Sequence, residues 1–422
     1  MVAQTEYRFS QIENHIECER KKNPLYNGVL QLHFYQPIRK LVIEEEQIFD
    51  FSQDKWGNIN ERIAKECYLP MHHERILANP FVTFDIHGTT RDFLKARFPQ
   101  EWAEIRKTIP KVGDTYVHRI FPLSPKADKI RTLEIGMQAF YEDYGIFPLT
   151  IWPPEDALNQ ETLDVFAKAG IKNVPVASHN VKGEYSSPYY SIATANGNIN
   201  AIVFDGRLSH HIAFEDISNA DDFASMLADN GKILRVFADG ETFWHHRGWE
   251  SGEFLKYLVR CSLPSKNVDF GVYENEDTNG EVRENSSWSC VHGIDRWTGK
   301  NGCYCGEAND EVKRVKSDLF DELIIKTNKI NEEFEVLGCD DDYIKWFLRE
   351  RVRLAGGESV SLEGVSPELK DSFKIRLLLD MAWQSCSFFF SGDFERQGAI
   401  NSIRKVQEIR SKMDIFIFVP QG

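Results

Sequence analysis

Nowhere in the 422 residues does an apolar run approach the roughly 18 residues that a membrane span requires. A block of Lys and Arg is missing too: 50 basic residues stand against 65 acidic ones, a formal charge of −15. These absences argue against a membrane partner and against nucleic acid, whose binding leans on clustered positive charge. Residues 1–21 (MVAQTEYRFSQIENHIECERK) also lack the apolar core of a signal peptide, so the cytoplasm is the expected location. Cysteine is sparse, eight in all. Cys18, Cys67, Cys261, Cys339 and Cys386 stand singly, as reduced core thiols usually do. Only Cys290, Cys303 and Cys305 gather, with His292 among them.

Aromatic residues, by contrast, are abundant: nine Trp and 29 Phe within an aromatic fraction of 12%. Flat rings suit sugar stacking, and they suit a large core equally. The length exceeds what one core usually serves, which predicts a large domain with a smaller companion.

The first 260 or so residues alternate β-rich runs with helical stretches. Strands are predicted at Val29–Phe34, Phe81–Phe84, Phe147–Trp152, Val174–Val176, Ala201–Phe204 and Ile233–Ala238. Helices are predicted at Leu133–Tyr144 and Glu161–Ala169, the latter ended by Gly170. Such alternation predicts an α/β fold with parallel strands, and residues 1–273 are read as a barrel. Residues 274–310 break the rhythm with Gly, Asn, Asp and Ser, and are read as an ordered loop or insert. Residues 311–422 turn helical: Val312, Val315, Leu319, Leu323 and Ile330 form one stripe, Leu369, Phe373 and Leu377 a second after Ser366-Pro367, and Ile400, Ile403, Val406 and Ile409 a third.

In α/β barrels, catalytic groups sit at the carboxyl ends of strands. His33 closes the first predicted strand, Glu155 follows Ile151-Trp152-Pro153-Pro154, and Asp239 follows the strand that ends at Ala238. Gly240 is expected to allow a tight exit turn there. Two acids at separate strand ends suit glycoside hydrolysis, in which one attacks the anomeric carbon or activates water and the other protonates the leaving oxygen. The plain alternative is that both acids cap loops or pair with arginines.

Eight segments in order, from about residue 29 to residue 395, resemble glycoside hydrolase family 57, and more closely its relative named domain of unknown function 3536. They are Gln31-Leu32-His33-Phe34-Tyr35-Gln36-Pro37, His118 to Leu123, Trp152-Pro153-Pro154-Glu155, Ala177-Ser178-His179, Phe204 to Glu215, Asp239 to His246, Ser286 to Gly293 and Ser385 to Phe390. The resemblance implies a (β/α)7-type barrel with a C-terminal helical domain. It implies a retaining enzyme of the amylase, branching enzyme or 4-α-glucanotransferase type, acting on α-glucan poly- or oligosaccharide. Glu155 would be the nucleophile and Asp239 the general acid and base, their carboxyl groups about 5–5.5 Å apart. Asp239 must then hold a proton near neutral pH, through burial or a nearby negative charge; Glu241 either supplies that charge or is itself the acid. His33, His118 and His179 would line the sugar site, with Tyr35, Trp152 and Trp288 as stacking faces. Of His245 and His246, adjacent in sequence, one at most is expected to face the cleft.

Three positions depart from the family pattern: Gln31 replaces a first His, Pro153 replaces Leu, and Trp244 stands where relatives have Gly, adding bulk beside the acid. Two other functions compete: a carbohydrate-binding barrel with impaired catalysis, and a metal-dependent polysaccharide deacetylase in which Asp239 and two His converge on a metal. No cofactor is required by the carboxylate chemistry. Cys290, His292, Cys303 and Cys305 can close a structural zinc site, yet their one-residue spacings are tighter than zinc-finger pairs. Reduced thiols or a labile disulfide are the alternatives.

Overall fold

The computed structural model describes residues 29–183, 187–215, 217–230, 235–266, 278–300, 303, 310–389 and 393–417. Its longer strands are β1 (Leu30–Phe34), β2 (Lys40–Ile43), β3 (Glu46–Asp50), β4 (Val82–Ile86), β5 (Asn173–Ala177), β6 (Tyr189–Thr194), β7 (Gly197–Phe204) and β8 (Val236–Asp239). Strand β1 lies between β8 and β4, parallel to both. Every residue of β1 and β4 is buried, as befits parallel strands covered on both faces. A second sheet runs β5-β7-β6, with β5 and β7 parallel and β6 antiparallel.

Backbone bonds knit these sheets into a (β/α)7-type barrel. The Asp205 N–H at the end of β7 donates to Arg235 O just before β8, at 2.9 Å. On the other side, parallel bridges pair Thr150 with Asn173 and Ile151 with Gly113. The segment Phe147–Trp152 thus takes a barrel position without becoming a regular strand. Pro148, Pro153 and Pro154 remove the N–H donors that a full ladder needs. Arg91 closes the ring, its Nη1 donating to Ile86 O and to Asp114 Oδ2, each at 2.5 Å.

Flanking helices begin and end where local chemistry directs. Helix Gln160–Lys168 is capped by Asn159, whose side chain accepts from Thr162 N. Gly170 follows with φ +84°, the left-handed stop that its position predicts. Helix Gly206–Phe214 is capped by Asp205, which accepts from Leu208 N at 2.6 Å.

Four helices, Asp310–Leu337, Asp340–Ala355, Lys370–Ala382 and Asp393–Ile417, form the helical layer. Its apolar core contains Phe320, Leu323, Tyr343, Phe373, Leu377 and Ile403, and also Leu41, Ile43 and Phe49 from the β2–β3 hairpin. An N-terminal hairpin is therefore packed among C-terminal helices. A buried ion network fastens the two parts: Asp128 Oδ1 forms ion pairs with Arg119 at 2.9 Å and Arg376 at 2.6 Å, and Asp380 Oδ1 accepts hydrogen bonds from both arginines. Among the described residues, no helix is long and apolar enough to cross a membrane.

Candidate active site

Register sets the floor of the site. Cα pairing puts His33 level with Asp239 on β8 and with Asp85 on β4, so three polar groups emerge side by side at the carboxyl ends of adjacent parallel strands. Gly240 owes its identity to packing rather than to the expected turn: an added Cβ would lie 2.1 Å from the Phe34 ring.

His33 Nδ1 pairs with Asp85 Oδ2 at 2.6 Å, and Gln31 Nε2 donates to Asp85 Oδ1 at 2.8 Å. Burial alone would favour a neutral imidazole. The Asp85 carboxylate, aided by Asp239 and Glu241, outweighs it and raises the His33 pKa to about 9. Gln31, the departure from the family His, thus serves as the second hand on Asp85.

Asp239 keeps an open face toward the cleft, yet protein crowds its other sides. That desolvation is the largest influence on its carboxyl group. The His33 charge opposes it; Glu241, Glu155 and Asp85 reinforce it, and the pKa is pushed up to about 7. Glu241 is buried behind, accepting from Tyr68 Oη and from Gln36 Nε2 at 3.2 Å. Burial raises its pKa as well.

Glu155 stands on a left-handed turn (φ 59°, ψ 20°) just after the two prolines. Such a backbone is costly for a residue with a Cβ and persists only where surroundings hold it. The surroundings do. Trp288 N and Ser287 Oγ donate to its carbonyl at 3.1 and 3.0 Å. Its carboxylate accepts from Ser289 Oγ at 2.7 Å, Trp288 Nε1 at 3.3 Å and Ser385 Oγ at 3.0 Å. Ser385 also bonds His118 Nδ1 at 2.8 Å, so a chain runs from His118 through Ser385 to Glu155. Burial, with His87 and His33 nearby, lowers the His118 pKa well below the histidine range, which leaves its ring neutral.

Glu155, Asp239, His33, Tyr35, His118, Trp152, His179, Glu241 and Trp288 all line one cavity of about 700 Å³. Tyr35 stacks on His118 with centroids 3.8 Å apart. Trp152 is 2% exposed and forms the floor, against His33 at 5.3 Å and edge-on to Trp288 at 5.1 Å. His179 Nε2 reaches Ser287 O at 3.3 Å. His245 and His246 both border the cavity, where one was expected, because the chain turns at Trp244 (φ 64°) instead of running on as a strand. Trp244 does not crowd the acid: its indole is buried against Gly252. A left-handed backbone at 244 also explains why a Gly suits this position.

Sequence reasoning missed Asp85, Ser289, Ser385 and Phe214. Asp85 comes one residue after the predicted strand Phe81–Phe84, so the strand-end rule was enough to find it. Phe214 is 75% exposed on the cavity rim, with a ring contact to His210 at 5.0 Å. Among the described residues, side chains at metal-ligand spacing are Cys290, His292 and Cys303, not the cleft acids.

The family model of glycosyl hydrolase family 57 matches residues 11–270. The chain belongs to glycosyl hydrolase family 57. It is accordingly a glycoside hydrolase-type enzyme. Solved structures share the family fold at low identity. An exo-type maltose-forming amylase from Pyrococcus sp. ST04 superposes with TM-score 0.63 at 14% identity, over 91% of this chain and 80% of that one. A family 57 branching enzyme from Thermococcus kodakaraensis gives 0.59 at 12%, over 94% and 92%. The α-amylase AmyC from Thermotoga maritima gives 0.57 at 13%, over 92% and 94%. No curated protein matches the sequence.

Proposed function

We propose that this family 57 member is a retaining enzyme that cleaves or transfers α-linked glucan units, with Glu155 as nucleophile and Asp239 as acid and base. The observation that carries the reading is the contrast between two acids in one sugar-sized cleft. Asp239 is held up to about 7, so it retains a proton to give near neutrality. Glu155 meets three hydrogen-bond donors and is fixed in place for attack.

In the first step Glu155 attacks the anomeric carbon while Asp239 protonates the departing oxygen; a glycosyl ester on Glu155 results. Asp239, now a carboxylate, then draws a proton from water or an acceptor hydroxyl, which displaces Glu155. The His33 imidazolium stabilises that carboxylate form. Glu241, buried behind hydrogen bonds from Tyr68 and Gln36, supports Asp239 as the acid rather than replacing it. His118, His179, Tyr35 and Trp288 form the wall of the sugar site, and Phe214 offers an exposed ring at its rim.

The amylase and branching-enzyme names of similarly folded proteins suggest α-glucan as substrate. Incubation with α-glucans and maltooligosaccharides, with products resolved by chromatography, tests this. Shorter or rearranged chains are expected, and Glu155→Gln and Asp239→Asn should abolish both. A deacetylase reading gains nothing here, since among the described residues Asp239, His245 and His246 do not gather at metal-ligand spacing.

A further inference from the structure

The loop that grips Glu155 continues directly into a cysteine-histidine cluster. Ser287, Trp288 and Ser289 contact Glu155; Cys290 is the next residue. This stretch has little regular structure of its own. One bridge, Leu158 to Ser286, opens it, and a short helical turn, Asp295–Thr298, interrupts it. Such a loop needs a fastening if it is to hold a strained nucleophile in place.

Cys290 Sγ lies 3.7 Å from Cys303 Sγ and 3.5 Å from His292 Nδ1. The three ligand atoms all lie within 4.8 Å of one another. A tetrahedral zinc, with Zn–S about 2.3 Å and Zn–N about 2.0–2.1 Å, requires S···S near about 3.8 Å and S···N near about 3.5–3.6 Å. The observed edges match both values. A disulfide would need about 2.05 Å between sulfurs. Thiol hydrogen bonds, from Cys303 to Cys290 and from Cys290 to the imidazole, are the alternative that metal analysis separates from zinc.

A second feature agrees. The backbone N–H of His292 points at Cys290 Sγ at 3.4 Å, the kind of outer contact that steadies a metal-bound thiolate. Gly293 then turns left-handed (φ +59°), where an added Cβ would come 2.0 Å from Asn285 O, so the loop crosses itself closely at this point. Cys290 and Cys303 are buried while His292 is exposed, which puts the cluster at the protein surface. Cys305 lies outside the described residues; the three ligands named suffice to define the metal's class.

We propose that Cys290, His292 and Cys303 bind a structural zinc ion that locks the loop carrying Trp288 and Ser289 against Glu155. Paired thiolates with an imidazole select zinc over harder cations, and the ion takes no part in the chemistry. Its role is positional.

Metal analysis of the full-length protein, purified under reducing conditions, should find about one zinc per chain, as thiolate-imidazole sites bind zinc tightly. Cys290→Ser and Cys303→Ser should each lose most of it, roughly tenfold or more. Should those variants fold poorly, the wild-type protein answers alone. Chelation should expose two further thiols to a thiol reagent, and cobalt(II) put in place of zinc should introduce a thiolate-to-cobalt absorption band. Absence of stoichiometric zinc, or an unchanged thiol count after chelation, overturns the site. These arms do not depend on the glycosidase reading. The arm that does is turnover: zinc removal should lower kcat by roughly 10- to 100-fold with little change in KM, reversed by zinc. Unchanged kcat in zinc-free protein overturns the positional role.

Discussion

Ser385 and Glu155 stand 230 residues apart in the chain, yet Ser385 Oγ donates to Glu155 Oε1 at 3.0 Å. Ser385 follows the helix Lys370–Ala382, and its own N–H donates to His118 O at 2.7 Å. The helical layer therefore completes the seat of Glu155, the proposed nucleophile, in the barrel. Ser385→Ala should lower kcat about tenfold with KM nearly unchanged, the pattern of a group that orients rather than binds. Steady-state kinetics on a maltooligosaccharide would check it.

The pH dependence follows from Asp239. Its folded pKa is raised to about 7, and the acid step proposed for it needs the protonated form. Activity should hold below neutrality and fall as pH rises through about 7. The His33 charge lowers the Asp239 pKa by more than Asp85 itself raises it, so Asp85→Asn, which removes the main partner of the His33 charge, should move this basic limb to higher pH. A pH profile of kcat/KM for both proteins reads the direction.

Phe214 predicts a length dependence. An exposed rim ring can stack only on sugars that extend beyond the catalytic subsite. Phe214→Ala should raise KM for long glucans by roughly tenfold, in line with the burial of one aromatic face, and leave short oligosaccharides unaffected. Melting temperature should hold, because the side chain is 75% exposed.

The ion network between barrel and helices should govern acid stability. Burial would raise the Asp128 pKa, but Arg376, Arg119 and Arg131 override it and hold it at about 2. Its contribution is thus present above the unfolded aspartate pKa and is lost as pH falls toward about 2. Asp128→Asn should destabilise by ~3–5 kcal/mol at neutral pH, as breaking a buried pair does, and should flatten that part of the acid limb. Denaturation at several pH values would show it.

The sequence made the strand ends legible because a barrel writes them as polar residues after apolar runs: His33, Glu155 and Asp239 were all visible so. Local turn chemistry was read less well. Asn196-Gly197 is a strong hairpin signal between β6 and β7, and it passed unnoticed. The β2–β3 hairpin turns on Glu44 and Glu45, both at positive φ, residue types that carry no turn signal at all. The supports of Glu155 fell inside two of the family-like segments, but their role was illegible for another reason. Ser289 and Ser385 are ordinary serines whose meaning lies in contacts across 134 and 230 residues.

A fluorinated α-glucosyl fluoride, which forms the glycosyl-enzyme readily but releases it slowly, tests the central claim most directly. Intact mass should rise by one sugar, and peptide mapping should put the adduct on Glu155. An enzyme that turns over α-glucan yet gains no label, or carries it on another residue, would contradict Glu155 as the nucleophile.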